Sequence, residues 1–132
     1  MTREIMLGDD AVDSVTRVRG VVTGVTSYIF ALEPDWVFQE LEHEGKVNAS
    51  VYMPAARLLC SEGVYKKERD PSLLKLLGKR KADRVTGLVG IVTSIHEHLH
   101  SPPTCYLQPV DITGKSANPL CVYVEQLSAV ID

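Results

Sequence analysis

DSVTRVRGVVT, residues 13–23, is written again as DRVTGLVGIVT, residues 83–93. Extended outward, LGDDAVDSVTRVRGVVTGV (7–25) lies over LGKRKADRVTGLVGIVTSI (77–95) at a constant offset of 70, with eight of nineteen positions identical. After one deletion the offset becomes 69 and aligns Gln39 with Gln108, Gly45-Lys46 with Gly114-Lys115, and Arg57-Leu58 with Gln126-Leu127. An ordered series of matches at a fixed spacing is a duplication. The chain carries two copies of one module, over 7–59 and 77–131.

The pattern inside each copy is that of short strands. VVTGV (21–25) and IVTSI (91–95) are rich in β-branched residues, and Val15-Thr16 and Val85-Thr86 read as a preceding strand. Gly20 and Gly90 are expected at a sharp turn between the two, a task suited to glycine. WVFQEL (36–41) and CYLQPV (105–110) follow, then a turn at Gly45-Lys46 or Gly114-Lys115, then VYM (51–53) or LCVYV (120–124). Four or five short strands per copy, with no long helical period, predict a mainly β chain. Two tandem small SH3-like barrels fit best, over 1–60 and 77–132, with a linker at 61–76. In the linker, Asp70-Pro71 is a helix start and SLLKLL (72–77) a short helical turn ended by Gly78.

Bulk numbers set the limits. The chain has 132 residues, 45% hydrophobic and 23% charged, enough for one domain or two very small ones. A module of this size is marginal by itself, so the halves are expected to pack on each other or on neighbouring subunits. No apolar run reaches the length of a membrane span, and MTREIMLGDD lacks the features of a signal peptide, so no membrane role is expected. Cys60, Cys105 and Cys121 form no CxxC pair, and each is expected as a small buried apolar residue. The net charge of −3 hides a gradient: residues 1–62 carry 5 Lys/Arg against 10 Asp/Glu, whereas residues 63–84 carry 8 against 3.

Copy one holds Gly8-Asp9, Val12, Asp13, Val15-Thr16, Gly20 and Val22-Thr23. Copy two holds Asp83, Val85-Thr86-Gly87, Gly90, Val92-Thr93, Gln108-Pro109, Gly114-Lys115 and Glu125-Gln126-Leu127. This pattern resembles small SH3-like or KOW-like proteins encoded by bacteriophages, here in tandem duplicate. Copy one departs from it at Arg17, where glycine is expected, and has Ala56 where copy two has Glu125. The resemblance implies a virion accessory, such as a capsid decoration or adaptor subunit, found in the virion or in the host cytoplasm during assembly. Its partners would be other virion proteins or copies of itself. This is a fold-level analogy.

Four groups of residues are candidates for a site. His96, His98 and His100 alternate along HEHLH, so on a strand they share one face and could ligate a metal; solvated or interfacial histidines are the more ordinary reading, and no metal or other cofactor is expected. Lys66, Lys67, Lys79, Arg80, Lys81 and Arg84 form the basic cluster of the chain, the candidate binding segment for nucleic acid or a host factor. Aromatic residues for base stacking are not interleaved with these charges, so nucleic acid is not the favoured partner. Tyr28 and Phe30, with apolar residues on both faces of their strand, are the candidate protein interface, while most aromatics are expected in the core. Asp13 and Asp83 are expected to accept backbone N–H groups and fix a turn. No nucleophile elbow, phosphate loop or Cys–His pair with an orienting partner is present, and an enzyme is not expected.

Overall fold

The structure is a computed structural model that describes residues 4–41, 50–109 and 118–130. The expected turns at Gly45-Lys46 and Gly114-Lys115 lie outside the described residues. Copy one forms β1 (Asp10–Asp13), β2 (Arg19–Tyr28), β3 (Asp35–Glu40), β4 (Ser50–Pro54), a 3-10 turn η1 (Ala55–Arg57) and β5 (Leu58–Ser61). The linker supplies a second 3-10 turn, η2 (Pro71–Leu76). Copy two repeats the series as β6 (Arg80–Asp83), β7 (Val89–His98), β8 (Thr104–Pro109), β9 (Leu120–Tyr123), η3 (Val124–Gln126) and β10 (Leu127–Ala129). The chain is mainly β, as its pattern predicts, and the strands of each copy pair antiparallel in the orders β5-β1-β2-β3-β4 and β10-β6-β7-β8-β9. Neither path closes among the described residues, because β4 pairs with β3 alone and β9 with β8 alone.

Two details of the repeated stretch differ from the sequence reading. Val15-Thr16 and Val85-Thr86 are not strands: they form the exposed turn between β1 and β2 and between β6 and β7. The turn itself reverses at Arg17 (φ 66°) and Gly87 (φ 77°). Gly20 and Gly90 lie inside buried strands instead, where a side chain has no room. A Cβ at Gly20 would stand 2.3 Å from the Gln39 carbonyl oxygen, and one at Gly90 would stand 2.4 Å from that of Gln108. Glycine is required here by close approach of a neighbouring strand.

The register slips once in each long strand, between Val22 and Gly24 and between Val92 and Ser94. Such a bulge takes one residue out of the ladder and bends the strand. Here it leaves Thr23 and Thr93 unpaired with β3 and β8.

The chain folds as two compact units whose members are drawn from both copies. Unit 1 comprises Met1–Thr26, Glu33–Arg69 and Glu97–Ser101; unit 2 comprises Ser27–Leu32, Asp70–His96 and Pro102–Asp132. In unit 1 the Thr23 carbonyl accepts from Leu99 N–H at 2.8 Å; in unit 2 the Thr93 carbonyl accepts from Ile29 N–H at 3.0 Å. The carbonyls at the two bulges thus bond the end of the other copy's long strand.

Unit 1 buries Leu7, Ala11, Val22, Val25, Trp36, Phe38, Met53 and Leu58, with Leu99 packed against them. Unit 2 buries Val92, Ile95, Cys105, Leu107 and Val122. At offset 69, Cys105 and Leu107 stand where copy one has the bulkier Trp36 and Phe38. Leu73, Leu76 and Leu77 of the linker pack against this second core. The linker turn starts as its sequence predicts, with Asp70 accepting from the Ser72 N–H at 3.0 Å and Pro71 at the first position. The aromatic expectation fails for most rings: Tyr28, Tyr52, Tyr106 and Tyr123 are exposed, and Phe30 falls beyond the end of β2. The cysteine expectation holds for Cys105 alone, since Cys60 is half-buried and Cys121 exposed.

Candidate functional site

The most repeated residues build a turn. In copy one, Asp13 accepts from Val15 N–H at 3.0 Å through Oδ1 and from the Thr16 hydroxyl at 2.9 Å through Oδ2. Arg57, at the end of η1, donates to both carboxylate oxygens, with Nε 3.1 Å from Oδ1 and Nη2 paired to Oδ2. The Arg57 guanidinium is the main reason that the Asp13 pKa falls from 3.8 to about 2. In copy two, Asp83 accepts from Val85 N–H at 3.2 Å and from the Thr86 hydroxyl at 2.7 Å, while Gln126 stands in for the arginine at 3.4 Å. The Asp83 pKa is lowered too, chiefly by the Thr86 hydroxyl. Each aspartate closes one turn and fastens it to the 3-10 segment of its own copy. Both carboxylates are saturated with donors, as the sequence reading expects of a turn-fixing aspartate.

His96 and His98 alternate at the end of β7, and His100 follows that strand. His96 belongs to unit 2, where its Nε2 lies 3.0 Å from the Ser94 hydroxyl and its ring meets Tyr106 edge-on at 5.1 Å. His98 and His100 belong to unit 1. Burial, then the charge of Lys67, lowers the His98 pKa. Among the described residues no three His, Cys, Asp or Glu side chains form a group that could hold a metal ion.

The basic residues belong to both units. Lys66 and Lys67 lie in unit 1, while Lys79, Arg80, Lys81 and Arg84 lie in unit 2. Lys66 pairs with Glu62, four residues before it. Lys67 Nζ donates to the carbonyls of His98 at 2.8 Å and Ser101 at 3.4 Å, and Arg84 donates to the Glu125 carbonyl. Lys66, Lys67 and Arg84 are therefore engaged in contacts within their own unit.

Tyr28 and Phe30 fare differently. With Ile29 and Ala31 they line an open hollow of about 620 Å³ in unit 2, walled by Thr93, Ser94, Tyr106, Gln108 and Pro119. Phe30 is 94% exposed and Leu32, two residues on, 104%. Phe30 is thus a large apolar residue exposed at the hollow, and Leu32 is a second one close to it in sequence. Leu32 is absent from the sequence reading, which extends the strand only through Phe30; the run TSYIFAL (26–32) carried the signal.

Unit 1 has a second hollow, of about 650 Å³, walled by Glu4, Glu33, Trp36, Ala55, Leu59 and Arg69 among others. The Arg69 guanidinium lies 5.7 Å from the Trp36 ring centroid and pairs with Glu97. The Arg69–Glu97 pair was not legible in the sequence, because it joins residues 28 apart, one in the linker and one in copy two.

Comparison with family models, curated proteins and solved structures finds no match to this chain.

Proposed function

We propose that this is a non-enzymatic structural or assembly protein, acting through protein–protein contacts as an accessory of a bacteriophage particle. The observation that carries the reading is the apolar surface of unit 2, where Phe30 and Leu32 stand fully exposed beside the hollow lined by Tyr28, Tyr106 and Pro119. Such surface is costly to leave in water and is the usual composition of an interface core. In this reading each copy is an SH3-like module. The five-strand order with β5 returning to β1, and the 3-10 turn before that last strand, support the assignment. The particle association and the phage origin rest on the resemblance of the repeated motif. No specific observation favours the alternative, binding of nucleic acid or a host factor through the basic residues, of which Lys66, Lys67 and Arg84 are engaged within their own units.

The test is mass spectrometry of purified particles. The chain is expected at a fixed number of copies per particle; its absence from washed particles refutes the reading.

A further inference from the structure

Unit 1 holds a built site that the proposed function does not use, and its occupant is a segment of copy two. The Glu97 side chain is 5% exposed, and Arg69 meets its Oε2 through Nε at 3.0 Å and Nη2 at 2.9 Å. Lys67 Nζ holds the same segment by the carbonyls of His98 and Ser101. Leu99 donates its N–H to the bulge carbonyl of Thr23 and packs against the core of unit 1.

At offset 70 the residues of copy one that correspond to Glu97 and Leu99 are Ser27 and Ile29. The apolar position is kept, and so is its bond to a bulge carbonyl, from Ile29 to Thr93. The acid is not kept. A serine in place of Glu97 would leave the Arg69 guanidinium, only 25% exposed, without its carboxylate. Breaking a buried pair by removing one partner is strongly unfavourable.

We infer that Arg69 is a specificity determinant for pairing between unlike copies, while Lys67 holds the same segment by its backbone alone. The bulge carbonyl and the core accept the strand end of either copy, whereas Arg69 selects the end that carries an acid four residues past its own bulge. The linker that leads into copy two therefore also reads copy two. Exchange between two first copies, from two chains, is disfavoured because Ser27 cannot answer Arg69. The inference is independent of the proposed function.

The full chain provides the test, since its one tryptophan, Trp36, lies in unit 1 and reports on that unit alone. Glu97→Ser installs the residue of copy one at a site in copy two. It is expected to raise the urea unfolding constant read by Trp36 fluorescence at least about tenfold. Arg69→Gln should do the same, and the double variant should be no worse than the worse single one, the mark of coupled residues. An unchanged Trp36 transition in Glu97→Ser, or additive effects of the two changes, overturns the inference. Should either variant fail to fold, Glu97→Asp and Arg69→Lys take their places in the same cycle, with coupling expected and additivity again overturning the inference.

Discussion

Arg17 shows how a single position diverged between the copies. It holds φ 66° where copy two places Gly87 at φ 77°. A non-glycine residue in the left-handed region costs about 1–2 kcal/mol, partly offset by the entropy glycine loses on folding. Arg17→Gly is therefore expected to stabilise the protein by roughly 0.5–1 kcal/mol in a denaturant titration. Gly87→Ala should cost a similar amount, because no atom lies within 4 Å of a Cβ built there and the penalty is backbone strain alone. Gly90→Ala, three residues on, should be far worse, since its Cβ would meet the Gln108 carbonyl at 2.4 Å. The sequence shows Gly87 as a mismatched letter and Gly90 as a matched one. It does not show which marks a turn and which a close approach, because that depends on a partner strand some 18 residues away. Asp13 carries a pH dependence with a definite sign. Its pKa is lowered from 3.8 to about 2 in the fold, so its contribution is fully present above pH 4 and is lost as pH falls toward 2. Thermal melts across that window should show Arg57→Gln less stable than wild type at neutral pH and the two converging at the acid end.

At the scale of elements, periodicity was readable and partnership was not. The β-branched runs locate β2 and β7, and Asp70-Pro71 locates the start of η2, because these signals are local. The aromatic residues misled because alternation along a strand does not say which face is covered. Tyr52 and Tyr106 sit on the open faces of β4 and β8, beside buried Met53 and Cys105. The cysteines divide by the same alternation: Cys105 opposes Val122 inside, whereas Cys121 opposes Tyr106 outside. Burial, assisted by Cys121 and Asp83, pushes the Cys105 thiol up to about 11. Alkylation of the native protein followed by mass spectrometry should therefore label Cys121 first and Cys105 only on unfolding. Equal labelling of the two would contradict the assigned faces of β8 and β9.

Across the whole molecule, the duplication is the feature most legible in the sequence, and its consequence is the least. An offset of 70 announces two copies. It gives no hint that the residues after each bulge are built into the unit of the other copy, since TSYIF and HEHLH are ordinary strand endings when read singly. The candidate site was half visible: Tyr28 and Phe30 stand out as apolar residues on a strand end, with Leu32 two residues on, whereas the walls of the hollow, Tyr106 and Pro119 among them, come from segments distant in sequence. The histidines and the basic residues were the louder motifs. Sharing a stretch of chain did not place them in one unit, because the boundaries between units pass through both stretches. If the apolar face of unit 2 is what binds the particle, the exposed side chains Phe30 and Leu32 should be dispensable for folding and necessary for attachment. The direct measurement is the copy number per purified particle, by quantitative mass spectrometry, for the wild-type chain and for Phe30→Asp/Leu32→Asp. We predict a fixed wild-type number and a loss of tenfold or more in the variant, with its melting temperature unchanged. Equal copy numbers for the two chains, or no wild-type chain on the particle, would contradict the account.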